Sequence, residues 1–125
     1  MANFRKQYLE VTTDGSGDAT ITDTLPILGR LYAIKWIDGD FADGVDAVLS
    51  SVGAIVDVVL STLTNANADG WFYASTLKHD LAGAALTGTA GGDRALPVID
   101  GKLKLVVASG GDTKTGGCIV YYLEL

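Results

Sequence analysis

Glycine and aspartate punctuate this sequence at short intervals, and that spacing limits the fold more than any other feature. Asp14-Gly-Ser-Gly-Asp18, Asp38-Gly-Asp40, Asp43-Gly44, Asn65-Ala-Asn-Ala-Asp-Gly70 and Ser109-Gly-Gly-Asp-Thr-Lys-Thr-Gly-Gly117 all read as turns or loops. Glycine supplies positive φ without steric cost, and Asp or Asn accepts bonds from nearby backbone amides. The runs between them are short, apolar and rich in β-branched residues, which predicts many short strands.

Taken in order, Asn3 to Thr12 alternates as a strand, with Phe4 and Tyr8 on one face and Leu9 and Val11 on the other. Ala19 to Thr24 reads as a short strand closed by Leu25-Pro26, and Arg30 to Asp38 as a separate strong one. Val45 to Leu63 fits either a helical stripe or two strands. Its valines and central Gly53 favour strands at about Asp46–Ser51 and Ala54–Thr62. Trp71 to Ala74 is an aromatic strand with Trp71 and Tyr73 on one face and Phe72 on the other. Lys78 to Arg94 reads as a long loop with one helical turn near Leu81–Leu86. Ala95 to Ile99 reads as an edge strand, because Pro97 cannot donate to a ladder. Lys102 to Ala108 and Ile119 to Leu125 complete the set. Eight or nine short strands in one domain over residues 1–125 predict an all-β, jelly-roll-like β-sandwich. Its core is expected to hold Trp36, Ile34, Leu49, Ile55, Val106, Ile119 and Tyr121, or their strand neighbours.

Charged residues make up 19% of the 125, below the roughly 25% of an average soluble domain, so some of the surface is expected to be covered in use. The net charge is −6, and the nine basic residues cluster only at Arg5-Lys6. Binding to a nucleic-acid backbone needs grouped Lys and Arg, so nucleic acid is not an expected partner. No apolar run reaches the ~18 residues of a membrane helix, and the first residues lack the apolar stretch of a signal peptide. With Cys118 as the single cysteine there is no internal disulfide. A chain made and folded in a reducing cytoplasm is expected.

Chemical motifs are sparse. Asp38, Asp40, Asp43 and Asp46 offer four carboxylates within nine residues and form a weak Ca²⁺ candidate. An EF-hand places acids at positions 1, 3 and 5 and a bidentate Glu at 12. Here the third Asp falls one place late and position 12 is Leu49. Two Asp-Gly turns around a bulged loop explain the same residues. Thr113 stands in front of Lys114 where a P-loop needs glycine, and a strand follows instead of a helix. His79 is the single histidine, in an irregular segment, and one His with one Cys makes no zinc set. No catalytic residue, cofactor or resident metal is expected. Aromatic residues that lie outside the core are the better candidates, since aromatics are enriched at interface hot spots. Phe4, Arg5, Lys6, Tyr8, Trp71 and Tyr73 are the interface candidates on this reading, with residues 1–8 as an N-terminal arm.

Three stretches together resemble a family of small tailed-phage virion proteins. They are Thr13-Asp-Gly-Ser-Gly-Asp-Ala-Thr20, Gly29-Arg-Leu-Tyr-Ala-Ile-Lys-Trp-Ile-Asp-Gly-Asp40 and Leu103-Lys-Leu-Val-Val-Ala-Ser-Gly-Gly-Asp-Thr-Lys-Thr-Gly-Gly-Cys-Ile-Val-Tyr-Tyr122, with Gly44–Leu49 and Leu63–Asn65 in the same order between them. The resemblance implies a β-sandwich subunit of the virion, of the capsid decoration or cement type. Its partner would be the major capsid protein or another virion protein, and it would be a homo-oligomer, with a trimer favoured. It offers no catalytic residue to carry over. The valine-rich Val52–Leu60 segment departs from the more polar strand of that pattern. A head–tail adaptor, neck or tail component is the nearest alternative. From another class comes a carbohydrate-binding β-sandwich using Trp71, Tyr73 and the Asp38–Asp46 loop.

Overall fold

The computed structural model describes residues 3–53, 56–77, 82 and 94–124. Nine strands occur among them, in the order β1 (Asn3–Thr12), β2 (Ala19–Ile37), β3 (Asp46–Val52), β4 (Asp57–Leu63), β5 (Gly70–Tyr73), β6 (Thr76–Leu77), β7 (Arg94–Ala95), β8 (Val98–Ala108) and β9 (Thr115–Glu124). The chain is all-β. Seven strands form one antiparallel sheet in the order β1-β9-β2-β8-β3-β4, with β5 added to β2, and β6 pairs separately with β7. Between Val45 and Leu63 the described residues form two strands, β3 and β4, as the valines and Gly53 suggested, and Val45, Gly53 and Val56 lie just outside them. Ile55, His79 and, apart from Ala82, the expected turn at Leu81–Leu86 lie outside the described residues.

The main departure from expectation is β2. The sequence predicts two strands split by Leu25-Pro26, but Ala19 to Ile37 is one strand of 19 residues. Its first half pairs with β8, from Ala19 opposite Val107 to Arg30 opposite Val98. Its second half pairs with β9 on one side, from Gly29 opposite Glu124 to Ile37 opposite Gly117, and with β5 on the other. The chain does not turn at Pro26. Asp23, Thr24 and Leu25 bulge out where the register shifts between Thr22 and Pro26, and pairing resumes beyond them. Gln7 Nε2 donates to Asp23 Oδ2 and ties the bulge to β1. Gly29 stays in the strand because the backbone of β9 passes so close that a Cβ would lie 2.2 Å from the Leu123 carbonyl oxygen.

This shared strand divides the sheet into two arms. One holds β1, β9, the second half of β2 and β5; the other holds the first half of β2, β8, β3 and β4. The arms face each other as a sandwich. Ile34, Trp36 and Cys118 of the first arm line the same small void of about 10 Å³ as Leu49, Ser61, Leu63 and Leu105 of the second. Alternation places the core on one side of each strand. Leu9, Leu31, Trp36, Val120 and Tyr122 meet Leu49, Leu103, Leu105 and Val107, all within 3% of complete burial. Of the expected core, Trp36, Ile34 and Leu49 are buried. Val106, Ile119 and Tyr121 sit half-buried on the outer side, and their neighbours Leu105, Val107, Cys118, Val120 and Tyr122 take the interior. The expected break between Ile99 and Lys102 is also absent. Gly101, at φ +130°, carries β8 straight through opposite Ile27.

Candidate functional site: an aromatic sheet face

A single-residue bulge in β2 builds the most distinctive surface. Leu31 pairs with Tyr122 and Ala33 with Tyr121, so Tyr32 is an extra residue with no partner of its own on β9. Before the bulge the odd-numbered Ile27, Gly29 and Leu31 point inward; after it the even-numbered Ile34 and Trp36 do. Tyr32 and Ala33 therefore lie together on the outer side. Five rings converge there from four strands. Phe4 packs edge-on to Tyr32 with centroids 5.3 Å apart, and Tyr32 edge-on to Tyr73 at 6.2 Å. Tyr73 stacks with Trp71 at 6.3 Å and 15° between planes. Trp71 meets Tyr121 at 5.1 Å, and Tyr121 returns to Phe4 at 6.2 Å. The circuit closes around Ala33, which stands directly opposite both Tyr121 and Tyr73 and is fully buried although it faces outward.

The rings hold one another in place, yet much of their area remains in water. Tyr73 is 70% exposed, Phe4 57% and Trp71 48%. The Lys35 ammonium lies 5.5 Å from the centre of the Trp71 ring, a cation–π distance. Lys6 pairs with Tyr121 and Arg30 with Leu123, which places both on this same outer side. A chain of net charge −6 thus presents an aromatic face bordered by three cations.

Of the interface residues read from sequence, Phe4, Trp71 and Tyr73 belong to the circuit, and Lys6 and Tyr8 share its face. Arg5 points to the opposite side of β1 and forms an ion pair with Glu124 at 3.3 Å. Residues Asn3 to Tyr8, read as an arm, are the first part of β1 and pair with Ile119–Glu124. Tyr32, Tyr121, Lys35 and Arg30 were not legible as surface partners. Tyr121 alternates with the core residues Val120 and Tyr122, but which parity faced inward depended on the bulge at Tyr32.

The aspartates of the 38–46 loop do different work. Asp40 Oδ1 accepts the Thr115 N–H at 2.6 Å and Asp46 Oδ1 the Asn65 N–H at 2.9 Å. The Asp38 N–H donates to Asp69 Oδ1 at 2.8 Å, and the Gly44 N–H to Asn67 Oδ1 at 2.7 Å. These bonds tie the loops at one end of the sandwich together. Asp38 Oδ1 is buried without a hydrogen-bond partner. Burial raises the Asp38 carboxyl above its ordinary range, and the charges of Asp69, Asp43 and Asp40 add to the effect. Among the described residues no three His, Cys, Asp or Glu side chains converge in a way that would hold a metal ion. Asp40 and Asp46 each commit one carboxylate oxygen to a backbone amide of a neighbouring segment. Cys118 is buried between the arms, and burial pushes its thiol up to about 12.

No protein-family model, curated protein or solved structure matches this chain.

Proposed function

We propose that this chain is a non-enzymatic structural protein of a phage virion, a decoration or cement subunit that seats on the head shell through its aromatic face. The observation that carries the reading is the circuit of Phe4, Tyr32, Tyr73, Trp71 and Tyr121 left exposed on one sheet face. A contiguous apolar patch bordered by polar groups is the usual mark of a protein contact. Rigid aromatics there supply large contact area at low entropic cost. Repeated modest contacts of this kind add up by avidity when many copies sit on one shell. Lys6, Arg30 and Lys35 around the rings favour an acidic seat. The sequence resemblance points to the same class of partner.

The test is co-sedimentation of the purified chain with undecorated heads of the phage that carries its gene. The wild type is expected to pellet with the heads. A Trp71→Ala/Tyr73→Ala double variant, with an unchanged circular dichroism spectrum, is expected to lose at least tenfold in affinity. Equal binding by the double variant would remove the aromatic face from the reading. The near-parallel Trp71 and Tyr73 rings also favour a second reading, a platform for sugar rings. Heat release against a glycan panel, abolished in the same variant, would select it.

A further inference from the structure

Among the described residues of the main sheet, β1, β4, β5 and the first half of β2 each leave an edge without a ladder partner, and that half of β2 is interrupted by the bulge at Asp23–Leu25 and by Pro26. β4 and β5 are also poor templates for a further strand. β5 has four residues, and β4 has seven with a register shift at Leu60. β1 is different. It pairs with β9 through ten consecutive positions without a bulge, and it contains no proline. A long edge with neither bulge nor proline is a template for pairing with another chain, provided that the partner answers its charges.

The strand also specifies which chain. Thr13 N–H donates to the Lys114 carbonyl at 2.8 Å, so the odd-numbered residues of β1 turn their backbone groups toward β9. The even-numbered Phe4, Lys6, Tyr8, Glu10 and Thr12 turn theirs to the open edge. Their side chains all lie on the aromatic side of the sheet, in the order aromatic, cation, aromatic, anion, polar. That order is complementary to its own reverse.

We propose that β1 pairs antiparallel with β1 of a second copy, about a two-fold axis at Tyr8. This register sets Tyr8 opposite the second copy's Tyr8, Lys6 opposite its Glu10, Glu10 opposite its Lys6, and Phe4 opposite its Thr12. Opposite charges directly across a ladder stabilise it, and like charges destabilise it. Axes at Lys6 or Glu10 set like charges face to face. Axes at Gln7 or Leu9 leave both charges opposite uncharged residues. Neither Lys6 nor Glu10 has an ion-pair partner among the described residues, and both are exposed. Tyr8 Oη donates to Glu10 Oε2 at 3.0 Å, which already holds the carboxylate beside the axis. The contact is isologous and closes at two copies, so it removes the edge without seeding a fibre. It also joins the two aromatic faces into one continuous surface. The inference goes beyond the shell-docking reading and does not require it.

Analytical ultracentrifugation of the wild type and of three charge variants tests the pairing. The wild type is expected to sediment as a dimer. Lys6→Glu and Glu10→Lys each create two like-charge pairs and are expected to weaken the dimer about tenfold or more. The double variant Lys6→Glu/Glu10→Lys restores both pairs with reversed sense and is expected to recover dimerisation. Tyr8→Cys gives an independent readout. Hydrogen-bonded partners across an antiparallel pair have Cα atoms about 5.5 Å apart, within disulfide range, so mild oxidation should crosslink it. A wild-type monomer, a trimer insensitive to the reversals, or a double variant that stays monomeric would overturn the pairing. A monomer that still binds heads would leave shell docking standing. A dimer that does not bind them would remove the docking and leave the pairing.

Discussion

The indole N–H of Trp36 donates to the Ala66 carbonyl at 2.9 Å, joining the C-terminal end of β2 to the connection between β4 and β5. Trp36 is fully buried, so the bond is sheltered from water and the carbonyl depends on it. Trp36→Phe removes the donor, leaves a buried acceptor unpaired and opens a small void. A loss of about 2–4 kcal/mol is expected. Urea unfolding followed by circular dichroism checks it, with a lower midpoint at unchanged slope.

Ala33 sits fully buried beneath the five-ring circuit. Ala33→Leu forces extra atoms between β2 and the rings of Tyr73 and Tyr121. Overpacking of this kind costs about 1–3 kcal/mol. The rings must also spread, so the Trp71 fluorescence spectrum should shift. Ala33→Gly leaves the rings in place and should cost about 1 kcal/mol or less.

Gly101 combines a left-handed φ of +130° with a backbone so close that a Cβ would lie 2.1 Å from the Val52 carbonyl oxygen. Gly101→Ala strains the backbone and pushes β8 from β3 at once. Destabilisation of about 3 kcal/mol or more is expected. Thermal unfolding should report it as a large fall in Tm, whereas exposed Gly15→Ala should move Tm little.

Asp38 titrates above its ordinary value in the folded protein, through burial first and the charges of Asp69, Asp43 and Asp40 second. The folded chain therefore holds this proton more tightly than the unfolded chain. The contribution of Asp38 to stability falls as pH rises from the ordinary Asp value through the raised folded value. Asp38→Asn removes that dependence. The variant should match the wild type near about pH 3 and exceed it at pH 7, as read from urea midpoints across the range.

Cys118 is buried, and its thiol is raised to about 12, so little thiolate forms at neutral pH. Labelling by a thiol reagent at about pH 8 should be slow in the native protein. Its rate should follow unfolding and rise sharply in denaturant. Rapid native labelling would contradict the burial.

Much of this fold is legible in the sequence wherever alternation runs unbroken. Asn3 to Thr12 is a strand to the residue, and its division into a Phe4–Tyr8 face and a Leu9–Val11 face is as read. The reading fails in β2, where Pro26 and Gly29 carry the chemistry of turns but serve a bulge and a close strand approach. Local sequence does not distinguish a glycine that turns the chain from one that admits a neighbour. The aromatic face was half legible for a related reason. Phe4, Trp71 and Tyr73 could be placed by alternation alone, but Tyr32 is a bulge residue. An extra residue reverses the parity of everything after it, and only pairing with β9 reveals where that reversal falls.

The position of β9 between β1 and β2 has a consequence for how the chain is made. Both neighbours emerge from the ribosome long before β9 does. Until then each waits with an unsatisfied edge and an uncovered apolar face, and few of the final pairings are available to the nascent chain. The protein must therefore complete its sheet late, by inserting a strand between two that already exist. Crowded synthesis of many copies at once would make that interval its most hazardous, when a neighbour's β9 could fill the gap as well as its own.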